Sequence, residues 1–184
     1  MNLALIVYQL DSHNNLTKIS GDWDRFAIAN NAPQLVRKSV IDKPLFELVS
    51  DPQCNHLYKL LIERVKHTGK AVNFEYRCDS PDMRRFMHMG MIPQMGVDGV
   101  CFKSTVERLE PRDPVPLLET GINRSGDSIV ICSWCKKIKI DDDQWAEIEE
   151  AIERLGLFGA QYLPQLSHGL CPSCKKTIWS KLVE

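Results

Sequence analysis

Apolar residues in the first twenty positions fall into two short runs. These runs cover 3–10 and 16–20, and the polar sequence DSHNN separates them. Two apolar runs joined by a short polar turn predict a β-hairpin. A short helix is expected to follow, with Asp22 as its N-cap and with Trp23 and Phe26 facing inward.

The clearest helical pattern lies between Asp51 and Gly69. Asp51 is a favourable N-cap, and Pro52 suits the first helical position. Gly69 suits the left-handed conformation that ends many helices. Apolar side chains recur between them at three- and four-residue spacing, at Cys54, Leu57, Tyr58, Leu61 and Val65. The pattern predicts a helix that begins at Pro52 and buries one face.

Three further strands are predicted between 72 and 110. In AVNFEYRC the apolar side chains of Val72, Phe74 and Tyr76 alternate with polar ones, which is the period of a half-buried strand. The sequences MRRFMHMGMIP and VCFKSTVERLE follow, each after a turn. Two strands, then helices, then three strands indicate an α+β fold, with an antiparallel sheet covered on one side by helices.

The rest of the chain divides into a linker and a small C-terminal unit. Residues 110–128 contain three prolines and two glycines and show no hydrophobic period. They predict a linker between a domain at 1–109 and a unit at 129–184. Within that unit, DDDQWAEIEEAIERLG predicts an amphipathic helix that Asp142 or Asp143 caps and that buries Trp145.

Composition and charge are those of an ordinary soluble protein. The 184 residues are 43% hydrophobic and 26% charged, with a formal net charge of −1, so overall charge favours neither nucleic acid nor an anionic membrane. The N-terminal apolar run lacks the basic flank and cleavage site of a signal peptide. No run approaches the roughly 18 apolar residues of a membrane span. We expect a cytoplasmic protein.

The cysteines are the strongest chemical signal in the sequence. There are seven, an odd number, and four of them form two C-x-x-C pairs. In a reducing compartment this argues against a disulfide framework. Four thiolates at this spacing suit a tetrahedral Zn²⁺, which would stabilise a unit too small for a large core. The predicted ligands of this structural zinc are Cys132, Cys135, Cys171 and Cys174.

The cysteine pairs also have alternatives to zinc binding. Haem attachment needs C-x-x-C-H, but Lys136 follows Cys135. A thioredoxin-like dithiol needs a βαβ setting, and none is visible here. His168 is a candidate to replace one ligand or to orient a ligand from the second coordination sphere. Oxidation of the four thiols would eject zinc, so a thiol/zinc redox switch stays an alternative.

Nucleic-acid binding is a weaker alternative. Lysines follow both cysteine pairs, but residues 129–184 hold seven Lys and Arg against eight Asp and Glu. Without a basic surplus the electrostatic attraction to phosphate is weak. A small nucleic-acid-binding transcriptional regulator therefore requires the lysines to share one face.

Residues from about 1 to 110 resemble a PAS domain. The resemblance is carried by DWDRFAIANN at 22–31, by the segment at 45–93 and by GVCFKSTVERLEPR at 99–112. Members of one bacterial PAS-like subfamily have an FRCDSP…RRFM signature, and this chain has Tyr76 in place of the Phe. The resemblance implies a five-stranded antiparallel sheet with helices on one face. It also implies a role in sensing small molecules, cofactors, redox state or light, or in dimerisation.

The tail resembles a unit found at the end of bacterial sensory proteins and some response regulators. CSWCKKIKIDDDQWAEIEE at 132–150 and SHGLCPSCKK at 167–176 carry this resemblance. Together the two resemblances imply a non-enzymatic bacterial signal-transduction protein. The expected partner is another protein or a second copy of the chain, with the zinc unit docked on that partner or on the front domain. The sequence has no G-x-S-x-G, P-loop, G-x-G-x-x-G or H-E-x-x-H motif.

The inner face of the sheet offers a candidate pocket for an unidentified small ligand. Methionine side chains adapt to varied apolar ligands, although a methionine-filled core with no cavity is the simpler alternative. The candidate lining residues are Phe74, Tyr76, Met87, Met89 and Phe102. His56 and His88 are weaker candidates as haem ligands, because neither lies clearly on the apolar face.

A charged cluster flanks the turn that follows the third predicted strand. Its members are Arg77, Asp79, Asp82, Arg84 and Arg85. Such a cluster either fixes the register of the hairpin or forms a surface that docks a partner.

Overall fold

The computed structural model describes residues 4–30, 32–49 and 51–183. Within these residues, the front part of the chain contains five strands and four α-helices in the predicted order. They are β1 Leu5–Leu10, β2 Leu16–Gly21, α1 Trp23–Ala29, α2 Arg37–Val40, α3 Leu45–Leu48, α4 Pro52–Thr68, β3 Val72–Arg77, β4 Met83–Pro93 and β5 Val100–Pro111. Leu3, which the predicted first strand included, lies outside the described residues.

The five front strands form one antiparallel sheet in the order β2-β1-β5-β4-β3. The α+β class and the five-stranded antiparallel sheet are therefore confirmed, and the architecture is PAS-like. Val72, Phe74 and Tyr76 share one face of β3, and the first two are buried. In register they face Met91, Met89 and Met87 on β4, so the predicted apolar face exists.

The long helix α4 begins and ends as predicted. Its first residue is Pro52, and the Asp51 carboxylate accepts hydrogen bonds from the main-chain N–H groups of Gln53 and Cys54. Gly69 follows the helix with φ of 65°, the left-handed conformation that favours glycine. The buried face, made of Leu57, Leu61, Ile62 and Val65, covers the inner side of the sheet.

The C-terminal part of the chain forms a second, smaller sheet. Its elements are β6 Arg124–Cys132, β7 Ile138–Lys139, β8 Trp145–Ala146, α5 Ile148–Arg154, β9 Leu163–Gly169 and α6 Pro172–Val183. The strand order is β8-β7-β6-β9. Strands β6 and β9 are parallel, whereas the other two pairs are antiparallel.

The predicted linker at 110–128 is more ordered than the sequence indicated. Val115 and Leu117 are buried in the core of the second unit, together with Ile131 and Ile148. Strand β6 already begins at Arg124. The prolines break any regular hydrophobic period, so sequence alone gave no sign that these two side chains enter a core.

The predicted helix after Asp142 begins later than expected, and that boundary was wrong. Trp145 and Ala146 pair with Lys139 and Ile138 as strand β8. Helix α5 starts only at Ile148, and neither Asp142 nor Asp143 caps it. Pairing with β7 satisfies the main chain around Trp145 and overrides the local helical pattern.

The two units meet in a shared apolar core. Cys132, Trp134, Cys171 and Ile178 from the second unit belong to the same buried cluster as the front core. Within the described residues, the helices are too short or too polar to cross a membrane.

Candidate metal centre

Two short turns carry the cysteine pairs, and the parallel pairing of β6 with β9 brings the turns together. Cys132 ends β6 and lies in register with Gly169, the last residue of β9. Cys135 lies in the turn that leads to β7, where Lys136 adopts φ of 64°. Cys171 comes directly before α6 and Cys174 lies in its first turn. The second pair is therefore presented by the start of a helix.

The four sulfur atoms are close enough to bind one ion. All four Sγ atoms lie within 4.8 Å of one another, and the Sγ atoms of Cys135 and Cys171 are 3.7 Å apart. A tetrahedral ion with metal–sulfur bonds near 2.3 Å sets sulfur–sulfur distances of about 3.8 Å. The cluster therefore fits a metal ion, and its donor set of four thiolates is typical of zinc.

Hydrogen bonds within the cluster separate the thiol pKa values. The thiols of Cys135 and Cys174 donate to Cys132 and hold its pKa well below the ordinary range, against the effect of burial. The bond to Cys132 raises the pKa of Cys135 to about 12. The N–H groups of Cys171 and Cys174 donate to the Sγ atoms of Cys132 and Cys171, each at 3.4 Å. These donors stabilise thiolate sulfur, the form that binds metal.

His168 lies on β9 in register with Ile131, and its side chain is exposed. Among the described residues, the clustered ligand atoms are those of the four cysteines and include no histidine. Its role beside the metal stays a prediction.

Trp134, between the first two cysteines, is the residue that sequence reasoning missed. Its indole Nε1 donates to the main-chain oxygen of Glu75 at 2.7 Å. Its own main-chain oxygen accepts from the N–H of Arg77 at 2.8 Å. The ring lies 4.5 Å from that of Phe74. Metal binding does not require a large buried aromatic inside a C-x-x-C turn, and that mismatch was the available signal.

Ser133, the other residue inside this turn, bonds to the long helix. Its hydroxyl donates to the carboxylate of Asp51, the residue that caps α4. Burial raises the pKa of Asp51, but the bonds from Ser133 and from the N–H groups of Gln53 and Cys54 outweigh it and lower the pKa. One carboxylate thus connects the start of α4 to the turn at 132–135, which carries the first cysteine pair and is called the metal turn below.

The charged cluster after β3 bonds to the second unit. The Arg77 guanidinium pairs with Asp79 and with Glu147, each at 2.5 Å. Arg84 pairs with Glu149 at 2.8 Å, and Arg112 also contacts Glu149, at 3.2 Å. The acidic partners lie immediately before and inside α5.

The other members of this cluster hold the turn itself. Asp79 accepts from the N–H of Arg85, the Arg85 guanidinium donates to the oxygen of Cys78, and Ser80 donates to Asp82. The predicted role in fixing the hairpin turn is therefore present, and the cluster also contacts the second unit of the same chain. Docking of a separate partner stays a prediction.

The predicted ligand-pocket residues divide between core and cleft. Phe102 is fully buried and stacks on Tyr8 at 4.6 Å, and Met89 is also buried. Phe74, Tyr76 and Met87 line an open cleft of about 940 Å³ between the sheet and α6, with further lining from Trp134, Cys135 and Cys174. Ligand binding in this cleft stays a prediction.

The two candidate haem ligands lie on different elements. His56 is exposed on α4, and His88 is half-buried on β4 opposite Glu75. His88 points to the face of the sheet opposite that of Met87 and Met89, as expected from the alternation.

Comparison with known proteins adds little to this description. No family model and no curated protein is matched by the chain. A solved structure, a sensory box sensor histidine kinase from Vibrio cholerae, is similar over 62% of this chain and 85% of that chain, with 11% identity and a TM-score of 0.37. A TM-score this low carries no argument. The fold class therefore rests on the sheet order and the helices themselves.

Proposed function

We propose that this chain is a non-enzymatic bacterial signal-transduction protein of the cytoplasm. In this proposal the PAS-like domain senses a signal or dimerises, and a zinc ion holds the four-cysteine unit in a shape that docks on the front domain and on a protein partner. The supporting observation is that Trp134, inside the metal turn, bonds the main chain of β3 at Glu75 and Arg77.

This contact gives the two units a physical means of communication. Hydrogen bonds to the main chain of β3 depend on the position of the strand and on no particular side chain. A shift of β3, such as a ligand in the neighbouring cleft would cause, changes the fit of Trp134 and hence of the metal turn. Two ion pairs stabilise the same interface. Arg77 pairs with Glu147, and Arg112 pairs with Glu149.

Metal analysis of protein purified without added metal tests this proposal. We expect about one zinc ion per chain in the wild type and none in Cys132→Ser, because three thiolates do not complete a structural site. Limited proteolysis of Cys132→Ser should cleave the second unit and spare the front sheet. Cys101→Ser is the matched control and should keep its zinc. Metal-free protein that readily forms an intramolecular disulfide would contradict the proposal.

A small molecule bound in the cleft can be detected in the same purified protein. Mass spectrometry and absorbance of any molecule released on denaturation would identify a ligand of the cleft. Retention of such a molecule in wild type and its loss on Thr177→Trp, at an exposed position that lines the cleft, would support sensing.

A redox switch is a second candidate, because the metal ligands differ in exposure. Cys132 and Cys171 are buried, whereas Cys135 and Cys174 are half-buried and line the open cleft. Hydrogen peroxide reaching the cleft would take two electrons from two thiolates. A disulfide then forms, the peroxide is reduced to water, and zinc leaves. Zinc release at low peroxide dose supports this switch, whereas a site that resists peroxide is structural.

Nucleic acid is not favoured as a partner. Lys175 and Lys176 do share one face of α6 with the exposed Trp179, but acidic residues outnumber basic ones across the second unit. A salt-sensitive mobility shift with double-stranded or single-stranded nucleic acid of random sequence would be evidence for such binding.

A further inference from the structure

We infer that the outer edge of β3 is a strand-pairing surface for a second copy of this chain, and that Trp134 covers it. Among the strands that the structure describes, β3 is the last of the five-stranded sheet and pairs with β4 alone within that sheet. An uncovered edge of this kind presents main-chain groups to any other strand. This surface rests on the metal-held turn of the proposed function, but Trp134→Ala tests it with all four cysteines unchanged.

The direction of the edge groups follows from one hydrogen bond. The N–H of Arg77 donates to Trp134 and therefore points away from β4. Main-chain groups of a strand alternate in direction, so the N–H and C=O groups of Asn73 and Glu75 also point outward. Trp134 takes the N–H of Arg77 and the C=O of Glu75, which are two neighbouring positions that a pairing strand would use.

Trp134 also covers the apolar side of this edge. Its ring contacts Phe74 at 4.5 Å and Tyr76 at 6.5 Å between ring centroids, and the Trp134 side chain is itself buried. Without Trp134, the edge strand would expose Phe74 and Tyr76 beside free main-chain groups. Alternating apolar residues on an unprotected edge are the usual template for association.

The charges of β3 fit an antiparallel copy of the same strand. If Glu75 lies opposite Arg77 of the partner subunit, the two-fold axis also places Arg77 opposite the partner's Glu75. This register joins the strands through about four main-chain hydrogen bonds and two cross-strand ion pairs of opposite charge. Arg77 forms an ion pair with Glu147 of the second unit. If that unit undocks, part of the Arg77 guanidinium becomes available to the partner.

The cover is held in place by the metal turn. Trp134 lies between Cys132 and Cys135, and both of these cysteines belong to the four-sulfur cluster. Removing the metal would therefore release both bonds to β3, and removing the indole would free the C=O of Glu75 and the apolar side of the edge. Self-association should be weak in the metal-bound wild type and strong in the uncovered protein.

Sedimentation of the full-length chain with and without the indole tests this surface. Trp134→Ala should double the mass of the sedimenting particle relative to wild type at the same concentration. Trp179→Ala is the matched control, because Trp179 lies in the same unit but is 59% exposed. It should sediment as wild type. A folded Trp134→Ala, by far-ultraviolet circular dichroism, that keeps the wild-type mass would overturn the inference.

A proline at Glu75 shows whether the new contact uses this edge. The N–H of Glu75 points away from β4, so Glu75→Pro leaves the β3–β4 ladder intact while it blocks outward pairing. Added to Trp134→Ala, it should restore the wild-type mass. A particle that stays doubled would place the association elsewhere and overturn the inference.

Chelation provides the same test if Trp134→Ala does not fold. Metal removal from wild type should double the mass, and metal removal from the single variant Glu75→Pro should not. Equal masses for these two chelated proteins, doubled or not, would contradict pairing through β3.

Discussion

Arg77 on β3 and Glu147 before α5 form an ion pair 2.5 Å long between the front sheet and the C-terminal unit. The Arg77 side chain is only 8% exposed, and its second partner, Asp79, is 1% exposed. The pair is thus part of a largely buried interface, and the residues that flank it in space come from segments that the sequence pattern assigned to separate units.

Arg77→Ala should be strongly destabilising. The substitution leaves the buried Asp79 with Arg112, at 3.4 Å, as its remaining cation. The free energy of unfolding should therefore fall by about 3 kcal/mol, the low end of the range for a broken buried pair. Urea denaturation measures the change. Arg25→Ala is the control, because Arg25 is 66% exposed in its pair with Asp22 and exposed pairs contribute about 0–1 kcal/mol. Equal decreases in the free energy of unfolding of the two variants would show that the buried pair stabilises the fold no more than the exposed pair does.

Asp51 should contribute to stability twice, once as a helix cap and once through the metal turn. Asp51→Ala removes both the cap of α4 and the acceptor of Ser133, and a lost cap alone lowers the free energy of unfolding by about 0.5–2 kcal/mol. Ser133→Ala removes only the second contact, worth about 0.5–1.5 kcal/mol. Denaturation of both single variants and the double variant would reveal the coupling. Strict additivity would mean that the Ser133 bond is unimportant.

Thiol reactivity should differ sharply among the cysteines. Burial and the nearby Asp51 carboxylate raise the pKa of Cys54 to about 12, so at pH 8 only roughly one thiol in ten thousand is thiolate. Iodoacetamide should therefore label Cys54 very slowly. After metal removal, Cys132 should be labelled before Cys135, because the bond between them lowers the pKa of Cys132 and raises that of Cys135 to about 12. Peptide mapping by mass spectrometry decides this order, and rapid labelling of Cys54 would contradict the environment described for it.

Local patterns in the sequence predicted the parts of the fold that depend on local forces. The helix between Pro52 and Thr68 combines a cap, a proline at its start and apolar residues at helical spacing. The spacing of the two C-x-x-C turns likewise predicts a four-cysteine metal site. Within the helix and within each C-x-x-C pair the residues that matter are close in sequence, so the pattern carries the physical cause.

The interface between the units could not be predicted in the same way. Trp134 and Glu75 are 59 positions apart, and Arg112 and Glu149 are 37 apart. Such contacts depend on how the two sheets pack, which no periodicity encodes. Leu117 was missed for a related reason, because its burial comes from the second core and its neighbours include prolines that hide any pattern.

The central claim is that the metal turn is docked on the edge of β3, and amide hydrogen exchange at Arg77 tests it most directly. The N–H of Arg77 donates to the oxygen of Trp134 at 2.8 Å, whereas the N–H groups of Phe74 and Tyr76 point toward β4. In a dilute sample, exchange is followed by nuclear magnetic resonance immediately after metal is removed, with the Glu75→Pro variant as a control against self-association. We predict that exchange at Arg77 accelerates about tenfold or more while Phe74 and Tyr76 stay protected. Unchanged exchange at Arg77 after metal removal would contradict the account.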